Sequence, residues 1–253
     1  MRQQIIESVE KEKLIAIVRG VGADQCRKVA QALYEGGVRL MEITYDQRAP
    51  ETWAATAGAI GALAQEYAGR MFVGAGTVTC TELVELTHTH GGGFIISPDV
   101  NTDVIRRTRE LGMVSMPGAL TPTEIMTAHN AGADFVKLFP AGELGPGYIK
   151  AVRAPISHVK LMAVGGINEG NAAAFLKAGA VGLGVGGNLE KRAWIEAGEF
   201  DKLAEAARAM TAAVASAAGS YTACSLARTT RRPLTSPSRP PASSTVLSMT
   251  STR

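Results

Sequence analysis

The segment "DFVKLFPA", residues 134–141, sets Lys137 among Phe135, Val136, Leu138 and Phe139. An ammonium withdrawn from water is costly, so a lysine in such a run either reaches solvent at a strand end or works as an amine. An amine in apolar surroundings has a lowered pKa, and its free form attacks a carbonyl to give a Schiff base. The protonated imine draws electrons from the neighbouring carbon, which lets a C–C bond break or form. That chemistry needs a proton shuttle. "LMEITY" supplies Glu42 in a second apolar run, where burial raises a carboxyl pKa and a nearby ammonium lowers it. The competing structural reading is a Glu42–Lys137 ion pair that only fills a core.

Other candidates suit anions. "VGAGTVT" offers two glycines for close backbone approach, then the Thr77 hydroxyl and N–H groups fit for a carboxylate. "AVGGIN" and "GVGGN" put Gly165-Gly166 and Gly186-Gly187-Asn188 after apolar runs, where barrels hold a phosphate between their last two loops. Tight turns explain the same glycines without a ligand. Arg19 and Arg48 could each pair with a carboxylate or phosphate. Pro98, which closes "FIISP", joins the candidate substrate-binding residues. His88 and His90 stand two apart at a helix end without a third partner, so no metal site is expected there. Imine chemistry calls for no cofactor.

The elements that must position these residues form a series. Eight short apolar segments, 14–19, 39–45, 71–76, 93–98, 113–118, 134–140, 160–166 and 180–186, read as strands. Helix-period segments lie between them at 23–36, 50–67, 80–90, 101–111, 121–131, 146–153, 168–178 and 198–217, with one more at 3–12. Strands apolar nearly throughout are expected when both faces are covered, which points to a closed parallel (β/α)8 barrel with an extra N-terminal helix. An open doubly wound sheet has the same alternation. Polar or special residues sit at the carboxyl end of strand after strand, however: Arg19, Glu42 with Thr44, Thr77, Ser97-Pro98, Pro117, Lys137 and Gly165-Gly166. A barrel gathers those ends at one mouth, whereas an open sheet would scatter them.

Composition sets the limits. Of 253 residues, 46% are hydrophobic and 19% charged, enough for a large core, and a net charge of +3 gives no case for a nucleic-acid partner. Three cysteines, Cys26, Cys80 and Cys224, without metal or disulfide spacing fit a reducing cytoplasm. No apolar run reaches the roughly 18 residues of a membrane span, and the charged N-terminus is unlike a signal peptide. From about Gly219 the chain turns rich in Ser, Thr, Arg and Pro, so a single barrel domain at 1–218 and a disordered tail at 219–253 are expected.

Taken together, "MEIT", "VGAGTV", "FIISPDVN", "MPGALTPTEI", "FVKLFPA", "LMAVGGIN" and "GVGGNL" resemble the 2-keto-3-deoxy-6-phosphogluconate (KDPG) / 4-hydroxy-2-oxoglutarate (KHG) aldolase family, over about residues 5–215. The resemblance implies a class I aldolase on a (β/α)8 barrel, a homotrimer, that cleaves a 2-keto-3-deoxy sugar acid to pyruvate and an aldehyde. It makes Lys137 the Schiff-base lysine, Glu42 the general acid/base and Thr77 the holder of the pyruvoyl carboxylate. Gly165-Gly166 with Gly186-Gly187 become the phosphate cradle. KDPG, giving glyceraldehyde 3-phosphate, is the first-ranked substrate, with 4-hydroxy-2-oxoglutarate as a second. The galactonate epimer, a phosphosugar isomerase or epimerase, and a non-catalytic sugar-acid-binding barrel are the alternatives.

The chain departs from the family in two places. Asp46 stands where many members carry an arginine, with Arg48 displaced by two, and "GGNL" replaces a serine-bearing last phosphate loop. Neither touches the lysine chemistry, but both bear on substrate preference.

Overall fold

Apolar residues on both faces of a strand require cover on both sides, and in the computed structural model, which describes residues 1–229, every strand pairs in parallel with helices packed outside. The strands are β1 (Leu14–Val18), β2 (Leu40–Thr44), β3 (Phe72–Gly76), β4 (Phe94–Ile96), β5 (Val114–Met116), β6 (Gly118–Ala119), β7 (Val136–Leu138), β8 (Leu161–Val164) and β9 (Gly182–Val185). Their order is β5-β4-β3-β2-β1-β9-β8-β7-β6. The two end members, β5 and β6, are halves of the expected fifth strand, interrupted at Pro117. β5 pairs with β4 and β6 with β7, so the ring closes through this broken strand. Gly118 is needed at the break, because a Cβ there would collide with the backbone of Pro98. The (β/α)8 expectation therefore holds.

The helices are α1 (Arg2–Glu12), α2 (Ala23–Glu35), α3 (Trp53–Glu66, after a 3-10 turn at Pro50–Thr52), α4 (Thr81–Thr89), α5 (Thr102–Glu110), α6 (Pro122–Asn130), α7 (Ala141–Arg153), α8 (Ala172–Ala178), α9 (Arg192–Glu196) and α10 (Phe200–Thr229). Local chemistry explains several starts. The Asn101 side chain caps α5 by accepting from the N–H groups of Asp103 and Val104, at 3.1 and 3.3 Å. In "LTPTEI", Thr121 and Glu124 form a capping box, with Pro122 at the first helical position.

The helices differ from the expected elements at three places. α7 begins at Ala141 rather than 146, as a first turn separated from the rest by Gly145 at φ 73° and ψ 167°. The short α9 is new. α10 runs on to Thr229, past the expected domain end at 218, so the compositional change does not coincide with a helix end. The rest of the expected disordered tail, 230–253, lies outside the described residues.

α1 lies across the amino ends of the strands. Its Ile5, Ile6 and Val9 join Ile15, Leu40, Phe94, Val114, Phe135 and Met162 in an inner core. A polar staple fixes its start: Asp134, just ahead of β7, pairs with Arg2 and accepts from Arg109 Nη1 at 3.0 Å and from Ser115 N–H at 3.0 Å. At the other end of α1, Glu10 meets Lys160 at 2.5 Å. This end of the barrel is filled with side chains, and the opposite end stays open. Asp134→Ala leaves two arginines without their shared partner and is expected to lower the unfolding free energy by about 2–3 kcal/mol, read from the urea midpoint. An unchanged midpoint would mean that the Asp134 staple adds nothing to the hold on α1.

Candidate active site

Strand register sets the two ionisable groups inside the barrel. Glu42, at the middle of β2, is level with Ile17 and Gly74, and Lys137, at the middle of β7, is level with Gly118 and Met162. Both side chains line one small interior space with Ile15, Ile17, Ile96, Met116, Met162 and Val164. Glu42 is 1% exposed and Lys137 7%. Gly76 makes room for the carboxylate: a Cβ there would overlap Glu42 Oε2 and stand 2.7 Å from Glu42 Cδ. Glu42 Oε2 accepts no hydrogen bond from any described protein group.

Burial dominates the electrostatics of this pair. It raises the Glu42 pKa, against the pull of the Lys137 and Arg19 charges. It lowers the Lys137 pKa, and Arg19 adds to that while Glu42 opposes it. Both shifts favour the neutral forms, a free amine and a protonated carboxyl, which are the forms that attack a carbonyl and donate a proton.

Above the pair opens a cavity of about 570 Å³ at the carboxyl ends of the strands. Lys137 forms part of its lining, and Arg19, Thr77, Pro98, Gly165, Gly166, Gly186, Gly187 and Asn188 line it too. The structure thus brings together all the sequence-derived candidates but two. Glu42 lies in the floor beneath. Arg48 stands outside with its side chain 94% exposed, turned to Asp46, whose carboxylate is 3.8 Å from its Nε. Asp46 also accepts from the Arg48 N–H, so this local turn holds the arginine away from the mouth.

The loops at the rim are held by side-chain amides. Thr77 adopts φ 56°, a left-handed backbone that is uncommon for a β-branched residue. Its carbonyl accepts from Gln47 Nε2 at 2.8 Å, and Gln47 Oε1 accepts in turn from the Thr79 hydroxyl at 2.8 Å. Gly165 and Gly166 lie at φ 92° and 73°, where glycine is favoured. Asn171 Nδ2 donates to Gly166 O, and Asn188 Nδ2 reaches across to Ile167 O at 2.7 Å, joining the loops after β8 and β9.

Sequence reasoning passed over Phe139, Gln47 and Asn171. Phe139 lines the cavity, 40% exposed, with the Lys137 ammonium position 5.0 Å from its ring centroid. Its signal was available, since a residue two after Lys137 in a strand shares its face. Gln47 and Asn171 act through tertiary contacts that no periodicity marks. His88 and His90 stay at the end of α4, and among the described residues no three His, Cys, Asp or Glu side chains gather as metal ligands. No helix among the described residues is long and apolar enough to cross a membrane.

Two substitutions probe this arrangement. Gly76→Ala must displace Glu42 and is expected to cut turnover by about a hundredfold with circular dichroism unchanged; full turnover would free Glu42 of a positional role. Glu190, buried beside the loop after β9, has its pKa pushed from 4.5 to about 7 by burial, against the Arg19 N–H and the charges of Arg19 and Arg192. A carboxyl raised in this way stabilises the fold below about pH 4.5 and loses that contribution as pH rises through about 7. The Tm of Glu190→Gln, relative to the parent, should therefore climb between about pH 5 and about pH 8; a constant difference would contradict the shift.

Residues 5–206 match the family described as KDPG and KHG aldolase. The chain is 37% identical over 180 residues to the 2-dehydro-3-deoxy-6-phosphogalactonate aldolase of Escherichia coli (strain K12), covering 71% of this chain and 85% of that protein. It is 40% identical over 179 residues to a probable 2-dehydro-3-deoxy-6-phosphogalactonate aldolase of Rhizobium meliloti (strain 1021), covering 70% and 82%. A solved structure described as "Native KDPGal structure" superposes with a TM-score of 0.73 at 34% identity, covering 81% of this chain and 96% of that one. With a matching family pattern over most of its length, relatives of this identity and the same barrel, the chain belongs to the class I KDPG and KHG aldolase family of lyases.

Proposed function

We propose that this aldolase cleaves a 2-keto-3-deoxy-6-phospho sugar acid to pyruvate and glyceraldehyde 3-phosphate through an imine on Lys137. The observation that carries the reading is the burial of Lys137 and Glu42 in one apolar floor beneath a cavity rimmed by glycine loops. The Lys137 amine attacks the C2 ketone, and Glu42, acting through a water, moves the protons that turn the carbinolamine into a protonated imine with loss of water. Glu42 then takes the C4 hydroxyl proton as the C3–C4 bond breaks, and its electron pair flows into the imine to leave the pyruvate enamine. Protonation at C3 and hydrolysis free pyruvate and the lysine.

Thr77 and Arg19 orient the carboxylate, with Pro98 at the wall, which sets the carbonyl carbon near the amine. Gly165, Gly166, Gly186, Gly187 and Asn188 offer the phosphate a backbone-rich cradle. Arg48 has a role here only if its loop swings inward. The reading keeps the homotrimer that the family resemblance implies, and a cytoplasmic site of action.

The sequence ranks the gluconate epimer first, but the relatives at 37% and 40% identity are named for the galactonate epimer, and this epimer takes first place in the proposal. Pyruvate release from both epimers and from unphosphorylated 4-hydroxy-2-oxoglutarate tests it. The galactonate epimer is expected to show the highest kcat/KM, and 4-hydroxy-2-oxoglutarate, which cannot use the cradle, the lowest. Lys137→Ala should abolish turnover and Glu42→Gln should lower kcat by about 10²–10⁴-fold. The rising limb of the pH profile should lie below the ordinary lysine value of 10.5, because the folded protein holds Lys137 below it. Turnover that survives Lys137→Ala would refute the imine mechanism.

A further inference from the structure

Glu190 takes no part in the chemistry above, yet it is buried, 9% exposed, beside the same cavity. Its Oε2 accepts from the N–H of Arg19 at 3.0 Å, although the two are 171 residues apart in sequence. Its own N–H donates to Gly186 O at 3.0 Å, and the Leu189 N–H shares that acceptor at 2.7 Å. The residue is thereby anchored to the loop that carries Gly186, Gly187 and Asn188 and reaches over to the loop after β1. Arg19 and those three residues all line the cavity.

The loop after β1 needs such a tie. Arg19 is followed by Gly20, at φ 68° with open space around it, and by Gly22, so the backbone next to Arg19 has wide freedom to pivot. A glutamate on the outer surface could not supply the tie, and a buried one stays ordered only if its acceptor is used.

We infer that Glu190 is a positioning residue: by accepting the Arg19 N–H it holds Arg19 at the cavity wall and ties the β1 and β9 loops into one anion-binding rim. The inference rests on the reading that Arg19 helps hold the keto-acid carboxylate. In that role Glu190 acts on binding of the keto acid and leaves the proton transfers on Lys137 and Glu42 alone.

Deuterium exchange into the methyl group of pyruvate, followed by NMR on the full chain in D2O, reads the imine half-reaction without an aldehyde. Glu190→Ala is expected to raise the pyruvate concentration for half-maximal exchange about tenfold while the limiting rate stays within about twofold. Glu190→Gln keeps a carbonyl acceptor and should stay near the parent. Glu190→Met, which fills the buried site without a good acceptor, should behave like Glu190→Ala and replaces it if that variant fails to fold. In an Arg19→Ala background, Glu190→Met should add nothing, because the guanidinium that the tie positions is already gone. An unchanged half-saturation in a folded Glu190→Met, or an equal penalty with and without Arg19, would overturn the inference while the imine reading stands. A parent chain that exchanges no deuterium would overturn both.

Discussion

An acid and a base, Glu42 and Lys137, enclosed in one apolar barrel interior form the constraint around which this structure is arranged. Lys137 on β7 and Glu42 on β2 come from strands on opposite arms of the sheet, and each is almost without contact with solvent. Either one alone would leave an unpaired charge in a low-dielectric core, a change that is strongly destabilising. Together they reduce that cost, and the residual burial pushes both towards their neutral forms. The shift that is a liability for stability is the one that a nucleophilic amine and a proton donor would require. Gly76 belongs to the same constraint, since the Glu42 carboxylate occupies the space that a side chain would take.

The barrel serves this pair by being asymmetric along its axis. At the amino ends of the strands, α1 and the Asp134 staple close the interior with apolar side chains and an ion-pair cluster. At the carboxyl ends, the loops leave a cavity that contains Lys137 in its lining and Glu42 below. The loops after β8 and β9 present the cavity with mostly backbone, exposed by glycines, and side-chain amides hold the rim in place: Gln47 for Thr77, Asn171 for Gly166 and Asn188 for the junction of two loops. A rim of this kind can vary residue by residue while the Glu42–Lys137 pair beneath it stays fixed.

Much of this was legible in the sequence, for identifiable reasons. Strands covered on both faces read as continuous apolar runs, and the residues that break those runs are those that build the site: Lys137 and the terminal glycines line the cavity and Glu42 lies in the floor beneath. The legible features are thus the ones written in consecutive residues. Pro117 was visible as a special residue, but its splitting of the fifth strand depends on the close passage of Pro98 under Gly118. The first turn of α7 was hidden because Gly145 and Pro146 look like a helix start, although a helical turn precedes them. Arg48 has the residue type for an anion but stands two positions past the usual arginine, and the turn with Asp46 holds it outside the cavity. The contacts of Gln47 with Thr77 and of Glu190 with Arg19 join distant segments, and no local pattern announces them.

The central claim is that the burial of Lys137 makes it a nucleophile towards a keto acid. Borohydride reduction of the full chain in the presence of pyruvate, followed by intact mass and peptide mapping, tests it most directly. The account predicts a single reduced pyruvate adduct, located on Lys137 and absent when pyruvate or the lysine is removed. A folded chain with no adduct, or with adducts spread over surface lysines and none on Lys137, would contradict it and leave the Glu42–Lys137 pair as a structural filling of the barrel.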